Sequence, residues 1–242
     1  MLEHIEKERI LFLDIETVPQ TKSYDELPGR MKDLWAAKAE NLARNERNVD
    51  EAGGSSPDLL YKRAGIYAEF GKIVCISVGH FHQDVFRLKS FYGDDELNLM
   101  QDFAALLEKS FSRSEHLLCA HNGKEFDFPY ISRRMLIHGM KVPRILDLAG
   151  KKPWEVQHLD TMELWKFGDF KNYTSLVLLA AIFNIPSPKD DIDGSEVGRV
   201  YWEEHDLERI AVYCRKDVVT IARLFQKFRG EEMLSDEDIV LV

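Results

Sequence analysis

Two carboxylates raise the first chemical question: Asp14 and Glu16, in the stretch RILFLDIETVPQ at residues 9–20. Residues 10–15 read as a buried strand interrupted by Asp14. Side chains two apart on a strand share a face, so Asp14 and Glu16 stand side by side at the end of a core strand. Like charges that close repel, and burial adds a desolvation cost to each ion. Hard divalent cations offset such a pair, because Mg2+ and Mn2+ prefer carboxylate oxygens. Two such ions about 3.5–4 Å apart grip both sides of a phosphate undergoing in-line displacement.

Three further carboxylates invite a link with this pair. Asp127 lies in HNGKEFDFPYI, after an Asn122–Gly123 turn and two residues before Pro129. Read alone, that pattern makes Asp127 a helix N-cap. Tyr213 and Asp217, in AVYCRKDVV, are four apart and share one helix face. Asp217 falls within or beside an apolar stripe through Leu207, Ile210, Val218, Ile221, Leu224 and Phe228. Such a residue either faces the sheet or forms a surface pair with a Tyr or Arg. Asp160, in VQHLDTMELW, reads as the cap of a following helix.

The elements that must position these groups follow from periodicity. A first strand covers roughly residues 9–15, and helix-forming residues fill 30–46. GGSSPD at 53–58 is a break; 72–82 and 84–93 read as a hairpin. An amphipathic helix is predicted over 94–113, a short strand over 115–123 and a helix over 127–140. A buried helix at 175–185 stops before Pro186, and a long helix spans 203–229. The acidic, then apolar tail carries no clear assignment. A hairpin ahead of a later strand, with helices following, predicts a mixed sheet covered on both faces.

Composition bounds the reading. The 242 residues are 45% hydrophobic, enough for a substantial core, and no run of eighteen apolar residues suggests a membrane span. The charged N-terminus lacks a signal-peptide core, so a cytoplasmic location is expected. Cys75, Cys119 and Cys214 show no metal or disulfide spacing and are assigned to packing. The net charge of −10 argues against broad nucleic-acid binding and leaves room for a small site where cations offset carboxylates.

Together, D-x-E on a strand, HNGKEFD and Y-x-x-x-D on a late helix resemble the DEDD superfamily of 3′–5′ exonucleases, in the subgroup whose third motif carries a tyrosine (DEDDy). LDIETVP, EFGKIVCISVG and PSPKDDIDGSEV resemble the stand-alone exonucleases related to the proofreading domain of family-B DNA polymerases. The resemblance implies an α/β, ribonuclease H-like fold, a mixed β-sheet flanked by α-helices. It further implies one exonuclease domain over 1–242, with a helical insertion at about 21–70. It implies two Mg2+ or Mn2+ ions per site, held by Asp14, Glu16, Asp127 and Asp217. Asp14 would bridge both ions, Glu16 and Asp217 would complete the site of the attacking water, and Asp127 would hold the second ion. Tyr213 would aim the water, since a phenol of pKa about 10 is a poor base at pH 7.

The implied substrate is the 3′ end of a nucleic acid, single-stranded DNA by expectation, with a DNA polymerase or repair protein as a partner and no membrane. Thr17 and Val18 would touch the terminal nucleotide, although Pro19 also explains the strand's end. Asn122 would contact the scissile end or fix its turn. Phe126 would stack a base or pack in the core, and Lys189 would reach a phosphate or sit in a solvated loop. In the insertion, Lys and Arg residues interleaved with Trp35 and Tyr61 suit a single-strand channel, or a plain solvated helix pair. RNA 3′-end trimming and a non-enzymatic adaptor on the same fold are the competing functions.

Overall fold

The computed structural model describes residues 2–46, 56–83, 85–169, 173–186 and 191–242. Strand β1 (Ile10–Pro19) pairs antiparallel with β2 (Gly71–His82), which turns back into β3 (Val85–Tyr92). On its other side β1 pairs parallel with β4 (Leu117–Ala120), and β4 with β5 (Leu159–Asp160). The tail forms β6 (Ile239–Leu241), parallel to β3, giving a six-stranded mixed sheet in the order β5-β4-β1-β2-β3-β6. The helices are α1 (Gly29–Glu46), α2 (Pro57–Tyr61), α3 (Glu96–Ser110), α4 (Asp127–Ile137), α5 (Thr161–Lys166), α6 (Leu176–Ile182), α7 (Val197–Arg199) and α8 (Leu207–Arg229).

β1 is apolar on both faces because helices cover both. Leu11, Leu13 and Ile15 pack with Leu99, Met100 and Phe103 of α3 and with Phe128 and Ile131 of α4. Ile10 and Phe12 point the other way, into Val218, Ile221, Ala222 and Phe225 of α8. The Phe12 ring meets that of Phe225 edge-on at 5.6 Å. This alternation decides where the next even-numbered residues of β1 go: Asp14 and Glu16 continue the face that looks at α8.

Several boundaries differ from the sequence reading. β1 runs on to Pro19 through a register shift between Glu16 and Thr17, a bulge that the alternation of apolar residues does not reveal. The last long helix starts at Leu207 rather than residue 203. The preceding Val200–Glu204 is a π-turn, His205 is left-handed (φ 56°), and Asp206 caps the helix by accepting from Arg209 N at 3.1 Å. α6 is only partly buried, with Leu178 and Ile182 exposed. The acidic-apolar tail docks as an edge strand.

The described part of the insertion builds its own small core from Trp35, Ala39, Ala43, Leu60, Tyr61 and Phe70. Trp35 is fully buried and donates Nε1 to Pro57 O at 2.8 Å; Tyr61 is buried too. The aromatics expected to line a channel are therefore spent on packing. The arm seats against the end of β1 at Gly65, where a Cβ would meet the Val18 carbonyl carbon at 2.9 Å. No described helix is long and apolar enough to cross a membrane.

Candidate metal centre

The face of β1 shared by Ile10 and Phe12 reaches Asp14 one step later and meets the N-terminal half of α8. There the i, i+4 spacing sets Tyr213 and Asp217 on one side of the helix, with Cys214 between them toward the sheet. The Cys214 thiol donates to the Asp14 backbone oxygen and to Asp14 Oδ2, each at 3.4 Å. One ligand atom from each of Asp14, Glu16 and Cys214 lies within 4.8 Å of the other two. Tyr213 is buried and lies close enough to Asp217 for that carboxylate to raise its phenol further. Cys214 is buried, as expected of a core cysteine, yet it touches the carboxylates, which its sequence context did not signal.

Asp127 arrives from the opposite face of the sheet. It is not the N-cap: Phe126 holds that position without a side-chain cap, and Asp127 is the first residue of α4. Its Oδ1 accepts from Ile15 N at 3.2 Å. The reason lies in the sheet, where β4 pairs with β1 only from Ile10 to Phe12. Past that point the buried backbone of β1 needs another partner, and Asp127 supplies it.

The turn carrying Asn122 and leading to Asp127 is clamped by Asp160. Asp160 Oδ1 accepts from Asn122 N at 2.9 Å, Met162 N at 2.9 Å and Glu163 N at 3.2 Å; Oδ2 accepts from Lys124 N at 3.1 Å. Asp160 thus caps α5, as its sequence suggests, and also ties α5 to the site turn, which only tertiary structure reveals. Asn122 itself is left-handed (φ 64°), a conformation asparagine tolerates. Its Oδ1 is buried without a hydrogen-bond partner among the described residues.

The electrostatics reflect how tightly the groups converge. Burial, then the charges of Asp217, Glu16 and Asp127, push the Asp14 carboxyl well above the usual carboxylate range. Burial lifts Asp127 to about 7, with Asp160 and Asp217 adding to it against the hydrogen bonds from its own N–H and from Ile15. Burial and the charges of Asp217, Glu16 and Asp14 push Tyr213 upward, so its phenol keeps its proton at pH 7. Carboxylates whose charges act on one another in this way are mutually destabilising alone and suited to divalent cations. The oxygen-rich donor set fits hard ions; the thiol of Cys214 is softer and already donates to Asp14.

Of the other residues named from sequence, Thr17 is half-buried beside Tyr130. Val18 is fully buried among Val74, Cys75 and Val200, so its side chain has no surface for a nucleotide. Phe126 packs on the core and against Tyr130 at 5.3 Å, which favours its packing role. Lys189 lies outside the described residues.

The family described as predicted 3′-5′ exonuclease related to the exonuclease domain of PolB matches residues 66–238. Among solved structures, the fold is similar to the family B DNA polymerase from the hyperthermophilic archaeon Pyrobaculum calidifontis, with a TM-score of 0.54 and 16% identity. The match covers 90% of this chain and 24% of the polymerase chain.

Proposed function

Since the chain belongs to the family of predicted 3′-5′ exonucleases related to the exonuclease domain of PolB, we propose that it removes nucleotides one at a time from the 3′ end of single-stranded DNA, releasing nucleoside 5′-monophosphates. The observation that carries this reading is the grouping of Asp14 and Glu16, with Cys214, within 4.8 Å, while the charges of Asp217 and Asp127 also act on Asp14.

Asp14, Glu16, Asp127 and Asp217 would hold two Mg2+ or Mn2+ ions. Such a pair lowers the pKa of a bound water and offsets charge on the departing 3′ oxygen. Cys214 holds the Asp14 carboxylate by donating to Oδ2. The Asp127 carboxylate is fixed by the Ile15 N–H, and the turn before it by Asp160. Tyr213 remains a phenol beside Asp217, so it would orient a water rather than deprotonate it. Asn122 Oδ1, without a partner among the described residues, would accept from a hydroxyl or water at the scissile end. A single strand is preferred because the terminal nucleotide must come away from any partner strand to reach buried carboxylates. A polymerase or repair protein is the proposed source of such ends.

The test is digestion of 5′-labelled single-stranded DNA and RNA with Mg2+ or Mn2+, with Asp14→Ala as the control. A ladder shortening from the 3′ end of DNA, lost in the variant, supports the reading. A ladder on RNA alone transfers the activity to RNA trimming, and no ladder on either leaves an adaptor.

A further inference from the structure

A basic concavity lies beside the loop between α3 and β4. A cavity of about 200 Å3 opens where β4 begins, lined by Arg113, His116, Arg144 and Lys151, with His158 in its wall. None of its described lining residues is acidic, although the chain has 42 Asp and Glu against 32 Lys and Arg. Cations gathered in one concavity repel each other, and a bound anion turns that repulsion into attraction.

The wall is ordered by hydrogen bonds. Arg144 Nη1 donates to Ser112 O at 3.3 Å and straps its short helical turn to the loop. Arg113 N donates to His116 Nδ1 at 3.3 Å, which leaves Nε2 as the donor of that ring in its neutral form. The Phe111 ring lies 5.2 Å from the same imidazole. His158 is spent: it accepts from Leu118 N at 3.2 Å and donates to Ile145 O at 2.7 Å, and burial pushes it down to about 4. Arg113 pairs with Glu115 at 3.9 Å. Arg144 and Lys151 form no ion pair among the described residues.

We propose that this pocket binds one backbone phosphate of a nucleic-acid strand whose 3′ end lies at the carboxylates. The cavity is smaller than the roughly 300–1,000 Å3 typical of drug-sized ligands, so it suits a single anionic group rather than a whole nucleoside. Guanidinium and ammonium groups match phosphate oxygens in charge and geometry. β4 leads from this pocket toward the Asn122 turn, so the two sites lie apart by at least its four residues, about 13 Å. The source of the phosphate rests on the nuclease reading; the pocket does not.

The variant is Arg144→Gln with Lys151→Gln, both exposed, with an unchanged melting temperature as the fold control. Binding of a labelled 20-nucleotide DNA strand is measured by anisotropy in an Asp14→Asn background, so that digestion does not intrude. The expected result is about tenfold weaker binding, with a log–log salt slope shallower by roughly 0.7, as for a single phosphate that is no longer neutralised. Hydrolysis of a dinucleotide, which has its single phosphodiester at the carboxylates, should not change in the double variant with Asp14 intact. Unchanged 20-nucleotide binding, with inorganic phosphate or a 5′-mononucleotide bound and lost in the variant, would overturn the strand assignment in favour of free phosphate. No change with any of these probes, or an equal loss on the dinucleotide, would overturn the pocket. A wild-type protein that digests nothing but shows the predicted binding loss would sink the nuclease reading alone.

Discussion

Burial holds the Asp127 carboxyl near 7 and Asp14 well above its usual range, and this ties stability to pH. A carboxyl raised in the fold stabilises most below its unfolded pKa, about 4, and loses that contribution as pH rises through its folded value. Without divalent ions the protein should therefore melt at falling temperature from about pH 4 to pH 8, and Asp127→Asn should flatten that decline. Differential scanning calorimetry in EDTA across this range checks it; a rising melting temperature would contradict it. Asp14→Ala should lower turnover about 10^3-fold or more, because it removes the carboxylate on which the other three charges act. Tyr213→Phe should slow turnover about 10- to 100-fold, the worth of one hydrogen bond to a charged group, with metal affinity unchanged by calorimetry. Asp14 and Glu16 were legible because charges break an apolar run at period two, and Tyr213 and Asp217 because they lie one helical turn apart. Asp127 reads as a cap in local sequence; its partner, Ile15 N, is 112 residues away and leaves no local trace. Cys214 was hidden for the same reason: the carboxylate it touches belongs to the first strand.

Elements hold the site by clamps that cross large sequence separations. Asp160 joins α5 to the Asn122 turn through four backbone N–H groups. Asp160→Ala should cost about 2–4 kcal/mol, a lost cap plus buried donors left unpaired, read as a lower urea midpoint at unchanged slope. On the α3–α4 face, Glu96 accepts from Ile73 N at 2.7 Å, from Arg134 Nε at 2.8 Å and from His138 Nε2 at 2.8 Å, while Arg134 Nη1 donates to Ala68 O at 2.8 Å. Burial pushes the Glu96 carboxyl up, but the Arg134 and backbone bonds outweigh it and hold it below its usual value. Glu96→Gln should destabilise by roughly 3–5 kcal/mol, because it leaves the buried Arg134 charge without its partner. The element types were largely readable from periodicity. The bulge after Glu16, the π-turn before α8 and the docking of the tail were not, since each answers to packing rather than to local preference.

At the scale of the whole molecule, a sheet buried on both faces places the carboxylates between β1, α4 and α8. The mixed sheet and its flanking helices were legible in the order of strand and helix patterns. The arm's residue types also pointed to helix, but its aromatics turned inward to build a separate core, a choice that only their packing partners disclose. A net charge of −10 argues against broad binding of nucleic acid, so in the proposed function the cations at the site and the basic pocket supply the local attraction. Mg2+ at about 100 times its dissociation constant should stabilise the fold by about 2.7 kcal/mol, raising the melting temperature by roughly 5–10 °C. The most direct measurement is calorimetric titration of Mn2+ into the wild type and Asp14→Ala. Two ions per chain in the wild type and loss of binding in the variant are expected; a folded wild type that binds no Mn2+, or a variant that still binds two, would refute the two-ion site.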